Sequence, residues 1–200
     1  MRSSYEIEHF TPLADHQVPK RHQVTLGKYR LQATAYGVPE YTAVCFRVRA
    51  GFTVKRHAPK AGPCYKGYTR LQSWSFPDEP TSDSLVFWVP RILEGSTWKT
   101  KDQQIELLAA LRGKLELPGH HMSGLGNIAL VAGLILAHFK ATGETVPLNW
   151  FWVRSDTCRA DGSRLGLGWG EAGLYCGSSD DDDRARGNVG AFALGVELGS

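Results

Sequence analysis

Two hundred residues and 22.1 kDa leave room for one domain with a buried core, or for two small ones. A composition of 42% hydrophobic, 22% charged and 10% aromatic residues excludes a disordered chain, and no run approaches the ~18 uninterrupted apolar residues of a membrane-spanning helix. The net charge of +3 hides an imbalance: residues 1–75 hold twelve Lys/Arg against four acids, a net +8, while residues 76–200 are at −5.

Residues 1–22 read as an irregular arm, interrupted by Pro12 and Pro19 and ending in the solvated Lys20-Arg21-His22. The arm lacks the apolar region of an export signal, so a cytoplasmic protein with reduced thiols is expected, without membrane association. Residues 23–200 are expected to form a single domain, with 77–84 (PDEPTSDS) as the place for an internal boundary if there is one. Strands are predicted over Gln23–Leu31 and Gln32–Tyr36, rich in Val, Leu and Tyr, and over Tyr41–Ala50. In the last of these Val44, Phe46 and Val48 alternate with Cys45, Arg47 and Arg49. Phe52–Arg56 and Tyr68–Phe76 read as further strands flanking a Pro/Gly-rich loop, and Leu85–Pro90 as a short apolar one.

Two helices follow. Thr100-x-x-Gln103 has the form of a capping box ahead of Ile105, Leu107, Leu108 and Leu111, with Gly113 as a stop. The second helix is predicted from near Ser123 to about Ala141, closed by Gly143. Ile128–Ala137 is apolar all round, which points to a covered position at the centre of the core. Gly133 inside it would admit a close neighbour, at about 1 kcal/mol of helix propensity relative to Ala. Asn149–Ser155, Arg164–Trp169, Gly173–Gly177 and Val189–Glu197 read as four short strands, with Asp161-Gly162 as a hairpin turn. The fold class is therefore α+β: mainly antiparallel sheet packed around one long buried helix and one shorter amphipathic helix.

The sharpest local feature is the run Leu117–Asn127, glycine-rich, carrying His120 and His121, and opening into the apolar helix. Amides at a helix start attract an anion, here beside Gly124 and Gly126, and imidazoles beside them can donate hydrogen bonds, carry a proton or ligate a metal. The run matches neither the dinucleotide fingerprint nor the phosphate loop. A purely architectural role is the competing reading: Ser123 caps the helix and the glycines let its first turn pack closely.

Other chemistry is weaker. Cys45 to Cys64 and Cys158 to Cys176 are 19 and 18 residues apart, too far for a zinc motif, so no metal and no cofactor is expected there. Cys64 and Cys158 lie in loops without the setting of a catalytic thiol. The Asp180–Asp183 run reads as a solvated loop rather than a cation site, because consecutive side chains cannot all face one ion. His138 reads as a core histidine.

The basic, Tyr-rich first half supplies the leading functional expectation. This is a non-enzymatic binding or assembly protein that meets an anionic partner, RNA or DNA, through Lys28, Arg30, Tyr41, Arg47, Arg49, Lys55 and Arg56. That reading needs these cations to converge; the alternative is that the two halves of the chain neutralise each other. A second class is a small hydrolase or transferase that binds an anionic substrate at His120 and His121. The third is a structural subunit whose arm wraps a neighbour, with self-association.

Overall fold

The computed structural model describes residues 7–37, 39, 44–65, 75–146, 148, 151–179 and 184–199. These form an α+β fold of four α-helices and two sheets. The helices are α1 (Lys20–Ala35), α2 (Val54–Ala61), α3 (Lys101–Lys114) and α4 (Ile128–Thr142). The strands are β1 (Phe10–Leu13), β2 (Val44–Val48), β3 (Ser84–Trp88), β4 (Trp152–Cys158), β5 (Arg164–Gly170), β6 (Gly173–Ser179), β7 (Val189–Gly190) and β8 (Leu194–Leu198). One sheet runs β1-β2-β3-β8, antiparallel throughout. The other runs β6-β5-β4-β7, in which only the β4–β7 pair is parallel.

The first core cluster includes buried residues of α4 within Ile128–Ala137. One face of the first sheet packs there through Phe10, Phe46, Val48, Val86, Trp88 and Leu194, the second sheet through Val153, Leu165, Leu167 and Leu174. Val54, Ala58 and Ala61 of α2, one helical face by spacing, complete it. The opposite face of the first sheet carries Cys45 and Phe87 into a second cluster, covered by Leu26, Tyr29 and Ala33 of α1.

Several elements differ from those predicted. Gln23–Tyr36 is not two strands: α1 occupies it, and its buried positions His22, Leu26, Tyr29 and Ala33 recur at helical spacing. Phe52–Arg56 is not a strand either, because α2 starts at Val54. There the Asp78 carboxylate accepts from the amides of Val54 (2.9 Å) and Lys55 (3.1 Å), satisfying donors that the helix leaves open. The arm is not irregular throughout, since Phe10–Leu13 pairs with Cys45–Val48 in the chain's own sheet.

The second helix begins at Ile128, not near Ser123. Gly126 has a left-handed backbone (φ +76°), and the Asn127 side chain, not that of Ser123, accepts from the Leu130 amide at 2.8 Å. Val189–Glu197 is not one strand. It leaves the second sheet after Gly190 and enters the first at Leu194, joining the two sheets near the carboxyl end. Most of the predicted Tyr68–Phe76 strand, with Tyr41–Ala43 and Asp180–Asp183, lies outside the described residues.

No helix among the described residues is long and apolar enough to cross a membrane.

His138, on α4, sets its ring edge-on to Trp88 at 6.0 Å between centroids. Burial pushes this imidazole below its ordinary value, against an upward pull from Glu144. A ring with a depressed native pKa takes up its proton more readily in the unfolded chain. Its contribution to stability is therefore complete above about pH 6.5 and is lost as pH falls from there toward the native value. Burial lowers His121 in the same direction. The unfolding free energy is expected to drop between about pH 7 and pH 5, with a shallower but nonzero slope in His138→Gln. Urea unfolding at several pH values checks this; equal slopes would remove His138 as a titrating group.

Candidate functional site

Strand order places the site. On the face of the first sheet away from α4, Arg47 pairs with Leu85 and Leu85 with Glu197, so the three form one row across β2, β3 and β8. The adjacent row is Cys45, Phe87 and Gly195, where the sheet is covered by α1 and by the loop carrying His120 and His121. Beyond that cover lies a cleft of about 630 Å³, lined by Arg21, His22, Arg47, Arg49, Asp83 and Glu197, among others.

Glu197 is the hub. Its Oε1 lies 2.9 Å from His121 Nε2 and its Oε2 lies 3.0 Å from His120 Nε2. His22 Nδ1 is 3.8 Å from Oε1, too long for a hydrogen bond. The two adjacent histidines differ in exposure: the His121 side chain is fully buried, whereas that of His120 is 54% exposed. His121 is also stacked on Phe87 and lies 3.3 Å through Nδ1 from the Tyr29 hydroxyl.

The protonation pattern follows from these partners. Burial opposes the negative charge of Glu197, but hydrogen bonds from His121 and His120 outweigh it and hold the carboxyl below the usual carboxylate range. Burial likewise lowers the His121 imidazole, only partly offset by Glu197, so the ring is neutral at neutral pH. A carboxylate accepts only, so His121 donates from Nε2 and accepts at Nδ1 from Tyr29. Burial, aided by the charge of Glu197, pushes the Tyr29 hydroxyl up, and it keeps its proton. The result is a directed chain from the Tyr29 hydroxyl through His121 to Glu197. On the other flank Arg21 Nε donates to His22 Nε2 at 3.0 Å, which turns His22 Nδ1 toward Glu197.

The predicted basic stripe is only partly assembled. Arg47 and Arg49 line the cleft together, and among the described residues neither forms an ion pair. Lys28, Arg30, Lys55 and Arg56 do not line it. Lys28 donates to the Glu116 carbonyl at 2.6 Å, Arg30 pairs with Asp15 at 2.6 Å, and Lys55 sits 4.3 Å over the Phe76 ring. Arg56 is exposed on α2, and Tyr41 lies outside the described residues. Tyr29, one of the tyrosines of the basic first half, is fully buried.

The helix-start anion site at Gly124 and Gly126 is filled from within the chain. Asp156 accepts from the Leu125 amide at 2.7 Å, Thr157 from Ile128 at 3.0 Å, and Asn127 from Leu130. Gly124 lies against the Asp156 carboxylate, and Gly126 turns the backbone. These residues anchor α4 to β4.

The cysteines are not drawn into this cluster. Burial pushes the Cys45 and Cys64 thiols up to about 12, and Cys64 donates weakly to the Ala58 carbonyl. Neither is a thiolate at neutral pH.

Residues that reading the sequence did not single out for the site are Glu197, Tyr29, His22, Arg21 and Gly195. The one signal available was alternation in β8, which puts Gly195 and Glu197 on one face. Comparison with protein-family models, curated proteins and solved structures returns no match.

Proposed function

We propose that the chain binds a phosphate-bearing strand, RNA or DNA, whose backbone is held in the cleft by Arg21, Arg47 and Arg49. The observation that carries this reading is the meeting of Arg47 and Arg49, without ion-pair partners among the described residues, with Arg21 from α1. Guanidinium groups suit phosphate because their planar donors match its oxygens. Among the described residues the cleft lining contains no Tyr, Trp or Phe, which favours phosphate contact over base stacking as the source of affinity. In this reading α4 is the buried scaffold about which the sheets pack, and it holds the loop of His120 and His121 against Glu197.

The test is fluorescence anisotropy of labelled mixed-sequence single strands at several salt concentrations. Three phosphates neutralised on a single strand give a log-affinity slope near −2 against log salt, at roughly 0.7 per phosphate. The double variant Arg47→Glu/Arg49→Glu is expected to bind at least tenfold more weakly with a shallower slope. Salt-independent binding, or equal binding by the variant, would overturn the reading.

One observation favours a second reading, a small hydrolase or transferase. The half-exposed His120 is held by a carboxylate at 3.0 Å, an arrangement able to orient an imidazole for proton transfer.

A further inference from the structure

We propose that His120, His121 and Glu197 form a binding site for a divalent transition metal ion, with zinc as the best match. The two imidazole nitrogens and a carboxylate oxygen lie within 4.8 Å of one another. Two nitrogens and one carboxylate oxygen are a donor set that zinc accepts, and hard cations such as Mg²⁺ and Ca²⁺ prefer all-oxygen sites.

Distances fit with little movement. Zinc bonds of 2.0–2.2 Å in a tetrahedral arrangement set ligand atoms roughly 3.4 Å apart. The present separations from Glu197 are 2.9 Å to His121 and 3.0 Å to His120. The two short contacts go to different oxygens of the carboxylate and the three ligand atoms lie within 4.8 Å of one another, so the side chains open at the short contacts and draw together around the ion. The same three side chains are already held together by two N–H···O hydrogen bonds, one to each carboxylate oxygen, and the ion takes the place of the two bridging protons. Binding at Nε2 places the ring proton of each ligating imidazole on Nδ1 and frees the Nε2 lone pair.

The surroundings favour that exchange. His121 Nδ1 faces the Tyr29 hydroxyl at 3.3 Å, and Tyr29 oxygen accepts once Nδ1 bears the proton. A hydrogen bond to the far nitrogen of a ligating histidine is what orients such rings in metal sites. Phe87 stacks on the His121 ring and fixes its plane. Three protein ligands leave a fourth position for water or a bound oxygen, and Glu197 also lines the cleft of the arginines. The inference does not depend on the nucleic-acid reading.

The experiment uses the full untagged chain, stripped by a chelator, titrated with zinc chloride in a calorimeter and with cobalt(II) under visible absorption. One ion per chain is expected, with the intense visible bands of four-coordinate cobalt. His120→Ala and Glu197→Gln should each weaken binding at least tenfold. Tyr29→Phe should weaken it about 10- to 100-fold with the stoichiometry unchanged. Strand binding is read separately by anisotropy on the same metal-stripped chain, so failure of the strand-binding reading and failure of this one are separable. Absence of saturable binding overturns the proposal. So does equal affinity in folded His120→Ala, which would place the ion elsewhere; His120 is exposed enough that its truncation leaves the core untouched.

Discussion

Gly133→Ala is expected to lower stability, although alanine is the better helix former by about 1 kcal/mol. A Cβ at this position would overlap the ring of Phe10. That ring has no easy retreat: Phe10 is buried and stands edge-on to Phe52 at 5.1 Å between centroids. Glycine therefore lets α4 lie directly against β1, and the packing cost of the missing space outweighs the propensity gain. Forcing extra carbon into a packed core costs about 1–3 kcal/mol, so alanine should lose about 1 kcal/mol net and Gly133→Leu at least about 3. The larger figure is a substantial part of the roughly 5–15 kcal/mol that holds a domain folded. Urea unfolding reads both values. The cause is isolated by a cycle with Phe10→Ala, which should cost less in the Gly133→Ala background than alone, with a coupling of about 0.5–3 kcal/mol. A Gly133→Ala protein more stable than the parent would mean that α4 does not rest on Phe10.

What the sequence discloses about this fold is whatever local chemistry dictates. The Thr100–Gln103 capping box forms as its spacing requires, with Thr100 Oγ1 accepting from the Gln103 amide and Gln103 Oε1 from the Thr100 amide. Gly143 ends α4 in a left-handed conformation, and Asp161-Gly162 lies between β4 and β5. By contrast, α1 was hidden because exposed Val24 and Leu31 imitate a strand, while the residues that matter recur every three or four positions. Here tertiary burial decided against side-chain propensity. The site divides in the same way. His120 and His121 stand out in their glycine-rich loop, but Glu197 gains meaning only from strand order. Because β8 lies beside β3 and not beside its neighbours in sequence, a carboxylate near the carboxyl terminus joins a row with Arg47. Neither charge counts nor periodicity carries that long-range pairing.

Gly195→Ala is expected to dismantle the Glu197 cluster from beneath. Gly195 faces Phe87 across the sheet, and a methyl group there would overlap both His121 Nδ1 and the Tyr29 hydroxyl oxygen. Both side chains are fully buried, so neither can swing into solvent. The His121 ring must tilt, and it then gives up its bond to Tyr29, its bond to Glu197 or both. Strain of about 1–3 kcal/mol and roughly 1 kcal/mol for each lost hydrogen bond set the expected destabilisation. Truncating the ring should relieve it: Gly195→Ala should cost less in a His121→Ala background, as urea unfolding would record. Imidazole ¹⁵N shifts give a second readout that mere destabilisation would not move. The parent His121 should show a protonated Nε2 and an accepting Nδ1, a pattern blurred or reversed in the variant. An unchanged His121 signature would mean that the sheet yields at β8, and that the bare backbone at Gly195 is not what seats the ring against Glu197.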